Sequence, residues 1–385
     1  MKWAVVRRKL ARVDRALDKA IANAEIPGAV VMAKVRRGEE MVDHLSVRGM
    51  AVLRPERIPM TQATIFDLAS LTKPIATTTA VLQLVHAGAI ALDDPVAKFL
   101  PPFSERDKDL VTIRHLLTHS SGLKPWRGYH EVLLEKERKT GESLLATPEA
   151  RRLIVDRILR SGLVHEPGEA AVYGDLDFIA LGALVEAVAQ QPLDEYCSEH
   201  IFEPFGMERT RFIHNTAAGS PLSEPERREY AGTENCPWRD RIVWGEVHDP
   251  NASAMGGVAG HAGLFAPVDD VMRFAHVMLD VHHGRSELLP RELMAAFCAR
   301  QRMPDNSDWA LGWDTPTKGA SSSGEHFSEN SVGHLGFTGT SLWIDFERDA
   351  AVVMLTNRVH LVGKRSRFGL RPEVHDHIMD AAFSG

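Results

Sequence analysis

The sequence carries one local pattern that could do chemistry by itself, a serine followed three positions later by a lysine. Ser70 and Lys73 stand in the segment 66–74, which reads FDLASLTKP. Residues at this spacing on a helix have neighbouring side chains, and Pro74 is tolerated only near the first helical turn. A serine hydroxyl is a weak nucleophile until a base takes its proton, and a partly desolvated lysine can be that base. The pattern therefore predicts a nucleophile and its base on one turn.

The same pattern also has an ordinary interpretation, because Ser-x-x-Lys arises by chance in many chains. Ser70 would then cap a helix, and Lys73 would be a solvated side chain. Two further segments favour catalysis: Tyr173 stands in YGD ahead of a predicted helix, and His334 stands in HLG ahead of a predicted strand.

Hydrophobic periodicity indicates which elements position these segments. Strand patterns cover 29–35, 41–47, 340–346 and 350–356, whereas helical patterns cover 7–23, 75–87, 113–118, 148–161, 175–190, 268–282 and 372–382. Because the strands stand at both ends, the predicted fold class is α/β (α+β), with one antiparallel sheet built from both termini and an inserted all-α domain. The predicted domains are residues 1–66 with 300–385 for the sheet, and residues 67–299 for the helices, with a long loop over 213–262.

Composition excludes several classes of protein. The 385 residues include 52 Asp and Glu against 45 Lys and Arg, and this net charge of −7 argues against a dedicated nucleic-acid surface. The three cysteines stand far apart, so neither a disulfide framework nor a zinc knuckle is predicted. Leu116 stands between His115 and His119 where a zinc protease needs a glutamate, so we expect no metal, and no cofactor is implied.

The sequence also bears on location. No apolar run approaches the roughly 20 residues of a membrane helix, so no membrane partner is expected. Charge interrupts the apolar start of the chain before a signal peptide could form. The expected location is therefore the cytoplasm, or the periplasm if the true N-terminus differs. The sequence defines no oligomeric state.

The order of the motifs resembles the serine β-lactamase and penicillin-binding-protein superfamily, above all its class C β-lactamase and esterase-like branch. The signatures of that branch are Ser-x-x-Lys, Tyr-x-Asn and Lys-Thr-Gly, and the first matches fully at Ser70 and Lys73. Flanking text also matches, in TIRHLLTHSSGL at 112–123 and in GHLGFTGTS at 333–341. The resemblance spans roughly residues 10–380 and implies a β-lactamase/transpeptidase-like fold.

The resemblance implies a role for individual residues. Ser70 is similar to the acylated nucleophile, Lys73 to its base, and Tyr173 to the tyrosine that relays the proton to the leaving group. The backbone N–H groups of Ser70 and Phe337 would form an oxyanion hole, two donors aimed at the developing negative charge. Gly336 would lie on a strand lining the site, where a missing side chain lets the substrate approach the backbone. No Gly-x-Ser-x-Gly occurs in the sequence, which disfavours an α/β-hydrolase-type esterase.

Two positions depart from the family pattern. Asp175 stands where the family has an asparagine, and a carboxylate cannot donate a hydrogen bond to a substrate carbonyl but could hold Lys73 charged. His334 and Leu335 replace the lysine and threonine of Lys-Thr-Gly, so the site loses a hydroxyl and a strong anchor for a substrate carboxylate. A histidine here resembles many esterase-like and peptidase-like relatives, which weakens the expectation of ordinary β-lactam recognition.

The sequence thus predicts a serine hydrolase that works through an acyl-enzyme on a small ester, lactam or peptide substrate, including D-amino-acid peptides. Two alternatives stay open: a non-catalytic ligand-binding or sensor homologue that retains the pocket, and a cell-wall D,D-carboxypeptidase. The segments 245–249 and 256–263 resemble a family block that walls the pocket. The predicted site consists of catalytic Ser70, Lys73 and Tyr173 together with the substrate or oxyanion ligands Asp175, His334, Gly336 and Phe337.

Overall fold

The computed structural model describes residues 3–38, 40–106, 108–361 and 369–383, so the outermost residues of the predicted sheet domain lie outside the described residues. The described strands are β1 (Gly28–Arg37), β2 (Glu40–Val52), β3 (Ile58–Pro59), β4 (Phe66–Asp67), β5 (Arg211–Phe212), β6 (Gly232–Cys236), β7 (Arg241–Trp244), β8 (Leu264–Ala266), β9 (Ser331–Leu335), β10 (Ser341–Asp345) and β11 (Ala350–Thr356). The described α-helices are α1 (Trp3–Ala22), α2 (Thr79–His86), α3 (Ile113–Leu117), α4 (Tyr129–Thr140), α5 (Pro148–Leu159), α6 (Leu176–Ala189), α7 (Leu193–Cys197), α8 (Glu224–Arg227), α9 (Pro250–Ala254), α10 (Val268–His282), α11 (Arg291–Cys298) and α12 (Leu370–Phe383).

The main sheet is assembled from both ends of the chain, as the sequence predicted. Its six antiparallel strands lie in the order β3-β2-β1-β11-β10-β9. The two halves join where β1 pairs with β11, with Val30 opposite Leu355. Two smaller sheets, β4-β8-β5 and the β6-β7 hairpin, lie outside it.

Alternation of apolar residues along β1 explains why the main sheet is covered on both faces. Ala29, Val31 and Ala33 belong to a core shared with α1 and α12, whereas Val30 and Met32 belong to the larger core. Successive side chains of a strand point to opposite faces, so each face of β1 presents its own apolar row. Complete burial of a valine stabilises the fold by about 1.5–3 kcal/mol relative to its exposure. α10 packs against β1, β10 and β11.

Two segments differ from the expectations. His334 and Leu335 were expected just before a strand, but they lie within β9 itself. The region 213–262 was expected to be a long loop, yet it contains the β6-β7 hairpin together with α8 and α9. Its two strands are only five and four residues long, and the first, GTENC, is mostly polar, so neither has an apolar pattern long enough to signal a strand. The domain limits drawn from the sequence stay a prediction, although α10, assigned there to the helical part, contacts the main sheet.

The helices between the two halves of the sheet pack into the larger core. α6 is almost wholly buried along its first ten residues, and it contacts α2, α3 and α5. Within the described residues, no single helix has both the length and the hydropathy of a membrane span. α6 and the helical stretch Leu193–Phe202 reach these values only when taken together, across a bend of 79°.

Candidate active site

Ser70 lies in a tight turn between β4 and the helical segment that leads into α2. The preceding residue, Ala69, has a φ of +48°, in the left-handed region that costs a non-glycine residue about 1–2 kcal/mol. The Asp67 carboxylate holds this turn, since it accepts from the N–H of Ala69 at 2.8 Å and from the N–H of His248 at 2.6 Å. Burial raises the pKa of Asp67, and these two bonds oppose the rise. The buried Asp67 carboxylate therefore braces the strained turn that carries Ser70.

Lys73 opens a π-helical turn, Lys73–Thr78, that continues into α2. Its side chain is fully buried. The ammonium Nζ donates to Ser70 Oγ at 3.0 Å, to Asp175 Oδ1 at 2.8 Å and to the His261 carbonyl at 3.3 Å. These contacts use all three N–H groups of an ammonium. The structure thus brings Ser70, Lys73 and Asp175 into one hydrogen-bonded row.

The charge state of Lys73 follows from its partners. Burial alone lowers the pKa of Lys73. The charge of Asp175 and the contacts with Tyr173 raise it by more than burial lowers it, so the pKa of Lys73 lies above its ordinary value. At neutral pH the side chain is therefore an ammonium, which can donate hydrogen bonds but cannot accept a proton. This is the consequence that the sequence predicted for an aspartate in place of the family asparagine.

Tyr173 lies on the wall of the cleft beside Lys73, directly ahead of α6. Its side chain is 41% exposed, and its ring stacks on Trp309 at a centroid distance of 5.5 Å with 14° between planes. The ring centroid lies 4.9 Å from Lys73 Nζ. Asp175 comes two residues later, at the N-cap position of α6, where its N–H donates to the Pro125 carbonyl at 2.7 Å. The helix start therefore places Tyr173 and Asp175 on either side of the lysine.

A buried pair behind Tyr173 was not predicted. The His119 ring lies 4.8 Å from the Tyr173 ring, and its Nδ1 is 3.4 Å from Asp177 Oδ2. Burial, followed by the charge of Lys73, lowers the pKa of His119 to about 3. Burial also raises the pKa of Asp177 to about 7, although the Ser121 hydroxyl donates to that carboxylate. The matching block at 112–123 contained His119 and Ser121, but nothing in the sequence connected them to Asp177.

His334 is a neutral side chain in this site. It is almost completely buried on β9, and its Nδ1 donates to the Leu335 carbonyl at 2.9 Å. Burial, followed by the charge of Lys73, places the pKa of His334 well below its ordinary value. Nε2 has no hydrogen-bond partner among the described residues. His334 therefore offers an acceptor nitrogen to the cleft and carries no charge with which to hold a carboxylate.

Gly336 lines the cleft directly after β9, and close packing there leaves no room for a side chain. A Cβ there would lie 2.0 Å from Thr340 Oγ1 and 2.5 Å from the Leu68 carbonyl. The missing side chain therefore lets the end of β9 pack against the turn that carries Ser70, and the expected approach of substrate to this backbone stays a prediction. The Thr340 hydroxyl donates to the same Leu68 carbonyl at 3.0 Å and ties the two segments together.

Phe337 follows at the mouth of the cleft, where its side chain is 62% exposed. Its ring stacks on His248 at a centroid distance of 5.5 Å, and its carbonyl accepts from Arg358 Nε at 2.8 Å. These contacts fix the backbone beside Gly336. The oxyanion hole expected from the amides of Ser70 and Phe337 stays a prediction.

The site lies at the floor of a cleft of about 760 Å³ that the segments 245–249 and 256–263 help to wall. His261 Nε2 lies 2.9 Å from Asp249 Oδ1, and the charge of His261 holds the pKa of Asp249 below its usual range despite burial. Asp175, Asp249 and His261 offer ligand atoms within 4.8 Å of one another, a spacing that could suit a metal. However, the Lys73 ammonium already lies 2.8 Å from Asp175 and would repel a second cation.

Comparisons with known proteins agree with this geometry. A family model described as Beta-lactamase matches residues 13–374. A protein of Escherichia coli (strain K12), provisionally named a D-alanyl-D-alanine carboxypeptidase, is 32% identical over 331 residues, covering 80% of this chain and 73% of that protein.

Two solved structures share the fold. One is EstCE1, a hydrolase with promiscuous acyltransferase activity, with a TM-score of 0.71 and 21% identity over 97% of this chain and 99% of its own. The other is the octameric penicillin-binding protein homologue from Pyrococcus abyssi, with a TM-score of 0.68 and 23% identity over 94% of this chain and 75% of its own. The extent of the family match, together with the serine and lysine in contact, leads to one conclusion: the chain belongs to the β-lactamase family of serine hydrolases.

Proposed function

We propose that this hydrolase removes the C-terminal residue from short peptides of the D-amino-acid type. The observation that carries this proposal is a cation, Arg371, on the cleft wall beside Gly336. The provisional name of the Escherichia coli relative supports the same substrate class. A cytoplasmic location, expected from the sequence, would favour released peptide fragments over intact cell wall as substrate.

Arg371 is suited to hold the carboxylate that His334 cannot. Its Nη2 donates to the Gly336 carbonyl at 2.6 Å and its Nε to the Gly339 carbonyl at 3.3 Å, which leaves further N–H groups for a ligand. Burial, followed by the charge of nearby Arg358, lowers the pKa of Arg371 to about 10, so the group stays charged at neutral pH. Arg371 is the second residue of α12, and the positive end of a helix dipole also favours an anion.

The catalytic steps follow from the charge of Lys73. Ser70 Oγ attacks the carbonyl carbon of the scissile bond and gives its proton to Tyr173 in its phenolate form, because neither the Lys73 ammonium nor a neutral phenol can accept it. Lys73 instead donates to Ser70 Oγ and stabilises negative charge on the neighbouring oxygens. Tyr173 then passes the proton to the leaving amine, and the carbon–nitrogen bond breaks. Water attacks the acyl-enzyme, releases the shortened peptide and returns the proton to Ser70.

The test compares a short N-acetylated peptide ending in D-alanyl-D-alanine with the same peptide carrying a C-terminal amide. We expect wild type to release D-alanine from the free acid and Ser70→Ala to lose at least about 1,000-fold in kcat. Arg371→Gln should raise KM for the free acid by about 10- to 100-fold, the worth of a charge-assisted hydrogen bond, and leave the amide unchanged.

Other outcomes would point to other functions. Turnover of a p-nitrophenyl ester without peptide release would contradict the peptidase assignment and favour an esterase. A chromogenic cephalosporin cleaved faster than either would make β-lactamase the proper activity. If Ser70 forms a covalent adduct with none of the peptide, the ester and the cephalosporin, the result would support the non-catalytic binding or sensor alternative.

A further inference from the structure

A second cavity, of about 370 Å³, lies next to the catalytic cleft and is lined mainly by basic side chains. We call it the basic cavity. Tyr129 and Leu176 supply apolar surface, and Asp156 is the one acidic residue of the lining. Its cationic members are Arg106, Lys124, Arg127, Arg157 and Arg160.

Among the described residues, most of this positive charge has no ion-pair partner. Arg160 pairs with Asp156 through Nε and Oδ1 at 2.8 Å, and also contacts Glu105. In the part of the chain that the structure describes, no carboxylate lies within ion-pair distance of the other four cations, which are Arg106, Lys124, Arg127 and Arg157. Like charges around one cavity repel each other, and the chain as a whole is acidic, with a net charge of −7. The local excess of exposed positive charge therefore favours the binding of an anion in this cavity.

Contacts in the fold hold these cations around the cavity. The Arg127 guanidinium lies over the ring of buried Tyr129, 5.6 Å from its centroid. On the opposite side, buried Lys108 donates to the Glu105 and Ser161 carbonyls at 2.5 and 2.7 Å, which fixes the segment of Arg106 beside the end of α5. Three separate segments thus converge on one concave surface.

We propose that the basic cavity binds a small ligand carrying one or more phosphate groups. Arginine presents several N–H donors in a planar fork that matches phosphate oxygens, and lysine adds a point charge. A cavity of about 370 Å³ is within the range of small-molecule sites. A single carboxylate would neutralise only one of the four uncompensated cations, whereas a diphosphate could neutralise most of them.

The cavity and the catalytic cleft share one wall. Trp126 lines the cleft, while its neighbours Lys124 and Arg127 line the basic cavity. Between them, the Pro125 carbonyl accepts from the N–H of Asp175, the partner of Lys73, at 2.7 Å. A ligand in the basic cavity would therefore contact the segment that positions the catalytic ion pair.

Calorimetric titration of the full chain with inorganic pyrophosphate tests the proposal. We expect saturable binding to wild type and at least a tenfold weaker affinity for Arg157→Gln. Arg152→Gln is the matched control, because Arg152 is an exposed arginine of the same helix, as Arg157 is, but lies outside the basic cavity and pairs with Glu149. Its affinity should equal that of wild type. Arg371→Gln should also bind normally, which separates this site from the catalytic cleft.

Lys124→Gln provides a second variant, on a different segment of the cavity wall, in case Arg157→Gln does not fold. Melting temperatures in phosphate-free buffer establish that each variant is folded before titration. Absence of saturable binding to wild type at millimolar pyrophosphate would overturn the proposal. An equal loss of affinity in Arg152→Gln would also overturn it, because binding would then reflect general surface charge. A loss confined to Arg371→Gln would overturn it too, because binding would then take place in the catalytic cleft.

Discussion

At the scale of single residues, the catalytic question is which group accepts the proton of Ser70. The sequence supplied Ser70 and Lys73 from their spacing, and Tyr173 and Asp175 from resemblance. It also indicated that Asp175 could hold Lys73 charged, and the 2.8 Å contact between them shows the arrangement that does so. Lys73 therefore acts as a donor in the proposed mechanism, and Tyr173 acts as the base.

Replacing Asp175 with asparagine distinguishes these roles. In Asp175→Asn the pKa of Lys73 should fall, because burial already lowers it and the largest opposing charge is gone. If Lys73 must be an ammonium, the basic limb of the kcat/KM profile should move to lower pH by at least about one unit. Asp175→Glu keeps the charge and should keep the wild-type limb. A gain of activity at low pH in Asp175→Asn would instead show that neutral Lys73 is the base.

Local sequence could not predict the residues that pack around the catalytic side chains. His119, Asp177 and Trp309 come from three distant segments, and each looks like an ordinary core or surface residue in its own context. Tertiary packing alone brings His119 and Trp309 to within 4.7 Å between ring centroids. A motif identifies residues that are close in the sequence or that share one family signature. These contacts join residues that are distant in the sequence and share no such signature.

At the scale of elements, β9 and the Ser70 turn form one positioning unit. The four inner strands of the main sheet, β2, β1, β11 and β10, were predictable because each has a long apolar pattern. β9 was not, because its sequence SVGHL holds only two large apolar residues. α4 was not predicted for a similar reason, since most of its twelve residues are polar or charged. Neither sequence has the periodicity on which prediction depends.

Gly336→Ala tests how closely β9 must approach the turn. The new Cβ would collide with Thr340 Oγ1 and the Leu68 carbonyl, so we expect a loss of about 1–3 kcal/mol in the free energy of unfolding. Because the collision displaces the Ser70 turn, kcat should fall at least tenfold at temperatures where the variant is folded. Gly162→Ala is the control, as its nearest neighbour atom would be 3.8 Å away. Unchanged kcat in Gly336→Ala would show that the turn tolerates the shift.

At the scale of the whole molecule, a buried histidine on α12 makes the free energy of unfolding depend on pH. His375 is fully buried on α12, and its Nε2 lies 3.1 Å from the Ser341 hydroxyl on β10. Burial, followed by the charge of Arg371, lowers the pKa of His375 to about 3. The unfolded chain binds a proton on this side chain below about pH 6.5, and the native protein does not. This contribution to stability is therefore complete above pH 6.5 and is lost as the pH falls toward 3.

His375→Gln should make the protein less sensitive to acid. Between pH 6 and pH 4 the free energy of unfolding of wild type should include a loss of about 1.4 kcal/mol per pH unit from this group, and the variant should lack it. Urea unfolding at pH 6.0, 5.0 and 4.0 measures the slope for each protein. His326→Gln removes an exposed histidine and should keep the wild-type slope. Equal slopes in wild type and His375→Gln would exclude His375 as a source of acid sensitivity.

The pairing of β1 with β11 sets the timing of folding during synthesis. Val30 pairs with Leu355, which is synthesised 325 positions later. Until then, that edge of β1 has no hydrogen-bonded neighbour. At about 5–20 residues per second, the first hairpin stands with an open edge for roughly 15–65 s on the ribosome. A chain that stops before β10 and β11 exposes that edge permanently. We therefore expect such truncated products to aggregate or to be degraded, and not to accumulate as partly active enzyme.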